Sequence, residues 1–311
     1  VGNTTRGLGL TSRTSIYFSP NASTVRMIID GDSRVSLSNN DNGTSNTIFG
    51  KSAGTPDAGS NYNVFIGEGA AGNGALDDSM ENIAIGYRAG YGLSTSDQNV
   101  FIGMQAGQMI TTGNQNTYVG WDSGRYQIVG ASNTAVGHGA GKYQRGSKHT
   151  FMGVSAGFGK SSSPYSNGTE NTAIGAYALV NSQASQSYTT AVGTYAGYYT
   201  TGSSNTFMGW KAGYGGTTGA PYSSGTNNVA IGYEALKGFT TGGKTVAIGV
   251  GAGKAHTTSN WGVYIGYEAG NDVTTGAQNV LIGGDAGAKI TTGDRNIAIG
   301  GAALQTATTG D

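Results

Sequence analysis

One short phrase recurs along the chain at a nearly constant interval, and it limits the fold more than any other feature. Asn99-Val-Phe-Ile-Gly103 returns as Asn116-Thr-Tyr-Val-Gly120 and again as Asn133-Thr-Ala-Val-Gly137. With the closing glycine as anchor there are fifteen copies, from Gly50 to Gly300, and their commonest spacing is 17 residues. A unit this short cannot hold a βαβ crossover or a propeller blade. It suits one coil of a parallel β-solenoid carrying a short strand. Each coil advances about 4.8 Å, so the array predicts a rod on the order of 70 Å long.

Each column of the repeat has a physical meaning. Three before the anchor stands a β-branched residue, Thr, Val or Ile; one before stands Ile, Val, Met or Phe. Side chains alternate across a strand, so these two columns share a face, which is predicted to be the interior. The column between them, two before the anchor, holds Ala, Leu, Ile, Phe or Tyr, as at Phe65, Ala84, Phe101 and Tyr118. It then points outward, and an apolar outward face needs a cover. Another copy of the chain is the expected cover. Ala stands three after the anchor in every unit but that of Ser123, and Gly usually follows it, with Ala71, Leu179, Leu236 and Leu304 as exceptions. Small residues there imply a tight corner or a close backbone approach. Asn stands four before the anchor in eleven units, replaced by His149, Thr189, Thr245 and Gly262 in the others. Stacked in register, these side chains would form an amide ladder.

Composition narrows the function classes. Glycine supplies 57 of 311 residues, against an ordinary share of about 7%; four prolines and no strict triplet exclude collagen. Lysine plus arginine equals aspartate plus glutamate at 17 each, whereas a nucleic-acid binder carries a basic excess. No cysteine is present, which excludes disulfides and thiolate-held metals. No apolar run approaches the ~18 residues of a membrane span. The start, Val1-Gly-Asn-Thr, is not a signal peptide and lacks an initiator methionine.

The array occupies residues 46–311. Residues 1–45 lack the repeat; Ile16-Tyr-Phe and Val25-Arg-Met-Ile-Ile predict a hairpin, followed by a strand at Arg34-Val-Ser-Leu, together a small collar. Two long insertions, around Pro164-Tyr165-Ser166 and Pro221-Tyr222-Ser223, occupy the same phase of the repeat three anchors apart. Insertions on one side of an array often mark its binding face.

The motif Asn-Thr/Val-x-Ile-Gly-x-x-Ala-Gly resembles the head repeats of trimeric autotransporter adhesins; Asn228-Val-Ala-Ile-Gly232 and Asn296-Ile-Ala-Ile-Gly300 are close matches. Together with Thr-Thr-Gly in the connections and the segment Ser15–Asp30, the pattern also resembles phage tail-fibre arrays. The resemblance implies a homotrimeric fibre on a virion or a bacterial surface, recognising a host glycan or protein receptor. It also implies a C-terminal self-cleaving chaperone domain, which this sequence lacks; the array stops without a cap at Gln305–Asp311.

Candidate contacts for such a ligand are Tyr165 and Tyr222 in the insertions, with Trp121 and Trp210 from the column just after the anchor. That column also holds Tyr87, Met104, His138, Tyr233 and Tyr267, and such an aromatic stripe equally suits a subunit interface. His138, His149 and His256 have no metal-ligand spacing, and no cofactor is expected. Asp77, Asp78 and Glu81 form the densest acidic group but match no catalytic pattern, so the chain is expected not to be an enzyme. A glycan-degrading spike, which would use paired carboxylates, and an ice-binding solenoid are the alternatives to an attachment fibre.

Overall fold

The computed structural model describes residues 45–56, 59–73, 75–161, 166–181, 186–216 and 222–309, with the backbone of three strands nearer the N-terminus. Those three form an antiparallel sheet: Ser15–Phe18 pairs with Met27–Asp30, which pairs with Val35–Ser36. The hairpin expected in the first 45 residues is therefore present.

The rest is an all-β parallel solenoid. Fifteen strands of three residues, from Thr47–Phe49 to Ile297–Ile299, stack in one sheet in strict chain order. Register follows the repeat: Val100 pairs with Thr117 and Thr117 with Thr134, always in parallel. Hydrogen bonding continues past the strands. In successive turns Gly90 N donates to Ala106 O (2.8 Å), Gly107 N to Ser123 O (2.9 Å) and Gly124 N to Ala140 O (2.9 Å). The backbone of these turns is thus paired with the next coil rather than within the turn alone.

The anchor glycine has a stereochemical cause. Gly103 has φ of 128°, and a Cβ there would come within 2.7 Å of the Gly120 carbonyl in the next coil. The other anchors share this backbone, with φ between 122° at Gly300 and 144° at Gly50. No L-residue suits that conformation, and the coil spacing would forbid its side chain in any case.

The strand faces are the reverse of the sequence expectation. The column two before the anchor is the interior: Phe65, Ala84, Phe101, Phe207, Ala230 and Leu281 have no exposed surface. The columns three and one before the anchor point out and are half-buried or exposed, as at Ile248 (37% exposed) and Met208 (45%). The cause is parity. Asn four before the anchor is buried, and a two-residue step along the strand returns to the same face.

Three further columns complete the core. Ala three after the anchor is buried throughout its central run, as at Ala106, Ala140 and Ala212. Seven after the anchor stand Leu93, Ile110, Val273 and Ile290, all buried. The asparagines form the last column. Asn99 Nδ2 donates to Asn82 Oδ1 (3.0 Å) and to Gly113 O (3.0 Å), and Asn116 repeats this toward Asn99 (3.0 Å) and Gly130 (2.9 Å). The amide ladder expected from the sequence is present from Asn46 to Asn133. At His149 the imidazole takes over the acceptor role: Asn171 N donates to His149 Nδ1 (3.2 Å).

Candidate functional surfaces

Two kinds of surface stand out on the rod. The first is the outward strand face. Its thirty positions, in fifteen strands, are Thr, Val, Ile, Met or Phe, without one charged residue. In water such a sheet face ordinarily alternates toward polar side chains. Here Thr, Val and Ile occupy one column and Ile, Val, Met and Phe the other, so the face is uncharged along its whole length and one of its two columns is wholly apolar. At its ends Phe49, Ile297 and Ile299 are 67%, 71% and 68% exposed.

The second is a set of aromatic clusters at the turns. Trp210 stacks on Tyr233 (4.7 Å, 16°), with Lys211 Nζ 4.3 Å from the Trp210 ring centroid. Trp121, 51% exposed, leans on His138 (4.9 Å, 50°). Five coils separate Trp121 from Trp210, on the order of 24 Å of rod, so the two sit in different clusters.

Tyr222 is half-buried and stacks on Tyr199 (5.9 Å, 17°). Tyr199 in turn meets Tyr198 and Tyr214 edge-on (4.5 and 5.2 Å), and Tyr198 stacks on Tyr214 (5.6 Å, 10°). Tyr195 extends the group to Tyr177 (5.3 Å, 7°). Burial first, then the neighbouring phenols, raises the Tyr198 hydroxyl above its usual range and pushes that of Tyr214 up to about 12. The Tyr198 and Tyr214 hydroxyls are therefore neutral at physiological pH. Tyr165 lies outside the described residues. Tyr222 was legible in the sequence, and its ring partners were not. Their signal was the recurrence of Tyr two, five and six residues after successive anchors.

Tyr126 and Tyr143 stack in consecutive coils (4.8 Å, 7°), and Phe158 meets Tyr143 edge-on (5.1 Å). Beside them a groove of about 410 Å³ opens between Tyr91 and Tyr126, lined also by Asn73, Gly92, Gln108 and Arg125. Arg125 Nε donates to Gln108 Oε1 (2.8 Å), and its guanidinium lies 5.0 Å from the Tyr126 ring centroid. A second arginine, Arg88, sits 5.2 Å from the Tyr91 ring.

His138 is on the surface while His149 and His256 are buried. Among the described residues no group of three His, Cys, Asp or Glu is placed to hold a metal ion, and no helix is long and apolar enough to cross a membrane. Asp77, Asp78 and Glu81 are exposed, and the Glu81 carboxylate accepts from Gln98 Nε2 (3.0 Å). No protein-family model, curated protein or solved structure matches the chain.

Proposed function

We propose that this β-solenoid is the rod of a homotrimeric attachment fibre, displayed outside the cell or on a virion, that engages surface glycans multivalently. The observation that carries this reading is the uncharged outward strand face. Fifteen strands at about 4.8 Å, each about 10 Å long, make a strip on the order of 700 Å², close to the ~800 Å² that each partner buries in a stable interface. Large exposed apolar strips mark interaction sites, and the apolar column just before the anchor repeats without interruption along the array. A second copy supplies a face of the same length and period, so every coil finds a partner of equal spacing. Closed cyclic symmetry is the usual outcome for identical chains, and the resemblance of the repeat to trimeric fibres favours the threefold.

The turns would remain on the outside of such a bundle. Their aromatic clusters and amides would then be presented in three copies, and weak contacts would gain avidity by repetition. The test is the mass of the whole chain by light scattering at micromolar concentration. Three times 31.4 kDa is expected; a monomeric or dimeric mass overturns the trimer. Binding of the trimer to host cells, abolished by stripping their glycans, would support attachment, and binding that survives stripping would overturn the glycan part.

A further inference from the structure

We infer that the groove over Gly92 is a binding site for an acidic pyranose, a sugar ring carrying a carboxylate such as a hexuronic acid. This deepens the attachment reading above and rests on it for the glycan's biological source.

The groove exists because an aromatic stack is interrupted. Six residues after their anchors, Tyr126 and Tyr143 occupy the same column in neighbouring coils and stack at 4.8 Å. The two preceding coils place Met109 and Gly92 in that column, and the coil before them places Asn73. Met109 ends the aromatic stack, Gly92 contributes no side chain, and a space of about 410 Å³ opens beside Tyr91. That volume falls within the ordinary range for small-molecule sites, about 300–1,000 Å³.

The walls match one ligand chemistry in three respects. Tyr91, half-buried, offers an aromatic surface for the C–H face of a sugar ring. Asn73 and Gln108 offer amides for hydroxyls; the Gln108 carbonyl accepts from Arg125, which leaves its NH₂ as the group to donate to a ligand. The cations supply the preference for an acid. Buried Asp122 is held by both Arg125 (3.2 Å) and Lys142 (2.7 Å), so two cations share one carboxylate. Arg88 adds a further positive charge beside Tyr91. A carboxylate gains charge-assisted hydrogen bonds there that a neutral sugar does not.

The experiment titrates the full-length protein with methyl β-glucuronide, methyl β-glucoside and inorganic phosphate, following saturation transfer by NMR. The glucuronide is expected to bind at least ten-fold more tightly than the glucoside. Tyr91→Ala and Asn73→Ala should each weaken the glucuronide several-fold. Arg88→Gln should narrow the glucuronide–glucoside gap without abolishing binding, and rising salt should narrow it too. Unchanged thermal unfolding in these surface variants separates lost contact from lost fold. Equal binding of the two glycosides, binding indifferent to Tyr91→Ala, or no binding of either overturns the site. Displacement of the glucuronide by equimolar phosphate overturns the pyranose and leaves a plain anion site. Light scattering on the same preparation keeps the two readings apart: a trimer that ignores the glucuronide overturns the groove alone, and a monomer that binds it overturns the fibre alone.

Discussion

Phe101 and Gly107 occupy the same space: a Cβ on Gly107 would fall 2.6 Å from the Phe101 ring. This pairing of the column two before the anchor with the column four after it recurs along the rod, except in the coils of Ala84, Ala135, Ala191 and Ala247, where Gly stands opposite Ala and the ring of the next coil fills the space. Where the first holds Phe or Tyr, as at Tyr118, Phe151, Phe207 and Tyr264, the second is Gly; Phe65, opposite Ala71, is the exception. Where the second is Leu, at Leu179, Leu236 and Leu304, the first is Ala. In the coils that carry a large side chain at one of these positions, the core volume is thus shared between two positions six residues apart. Phe101→Ala should cost about 3–5 kcal/mol through its cavity, and Gly107→Leu alone should cost several kcal/mol by overpacking. The double variant, which rebuilds the Ala–Leu arrangement of Ala230 and Leu236, should be more stable than either single one by thermal or denaturant unfolding. A double variant no better than the worse single one would refute the shared-volume account.

The anchor glycines should be intolerant while neighbouring glycines are not. Gly103→Ala combines a forbidden φ with a carbonyl 2.7 Å away, and about 3 kcal/mol or more of destabilisation is expected. Gly284 lies just after an anchor, with nothing within 4 Å of an added Cβ. Gly284→Ala should stay within about 0.5 kcal/mol of the parent. Urea midpoints of the two variants make the comparison.

Acid should weaken the rod at its two buried histidines. Burial pushes both His149 and His256 down to about 4, whereas in the unfolded chain each titrates near 6.5. Between these values the unfolded state takes up protons that the folded state refuses. Stability is therefore complete above about pH 6.5 and falls as pH drops toward 4, by roughly 3 kcal/mol per histidine. His149→Asn should remove one share of that loss, because an amide there can accept from Asn171 N as the imidazole does and rejoin the ladder that ends at Asn133. Melting temperatures of parent and variant at pH 7 and pH 4.5 provide the check; an unchanged difference between the two pH values would contradict it.

The outward strand face should tolerate charge in a single chain but not in an assembly. Ile248 and Met208 are 37% and 45% exposed, so Ile248→Lys or Met208→Lys should leave the β-rich circular dichroism of the coil intact. In the proposed trimer the same lysines would be desolvated without partners, at a cost of several kcal/mol each. A fall in mass to the monomer, with circular dichroism preserved, is the expected result. An unchanged mass would place the interface elsewhere on the rod.

The sequence by itself determined the period, the parallel solenoid, the strand positions and the amide ladder. Each rests on a residue type with a single physical use: Gly103 with its positive φ, or Asn99 as both donor and acceptor in a buried column. It also marked Tyr222 and the two tryptophans, but not the rings around them, because coil-to-coil neighbours such as Tyr199 and Tyr222 stand more than a full unit apart in the chain. Which strand face turns inward was decided only by the tertiary structure. Phe101 and Ile102 are both apolar, so hydrophobic alternation in a three-residue strand carries no direction. The choice falls to the buried hydrogen bonds of Asn99 and to the space that Gly107 leaves for the Phe101 ring.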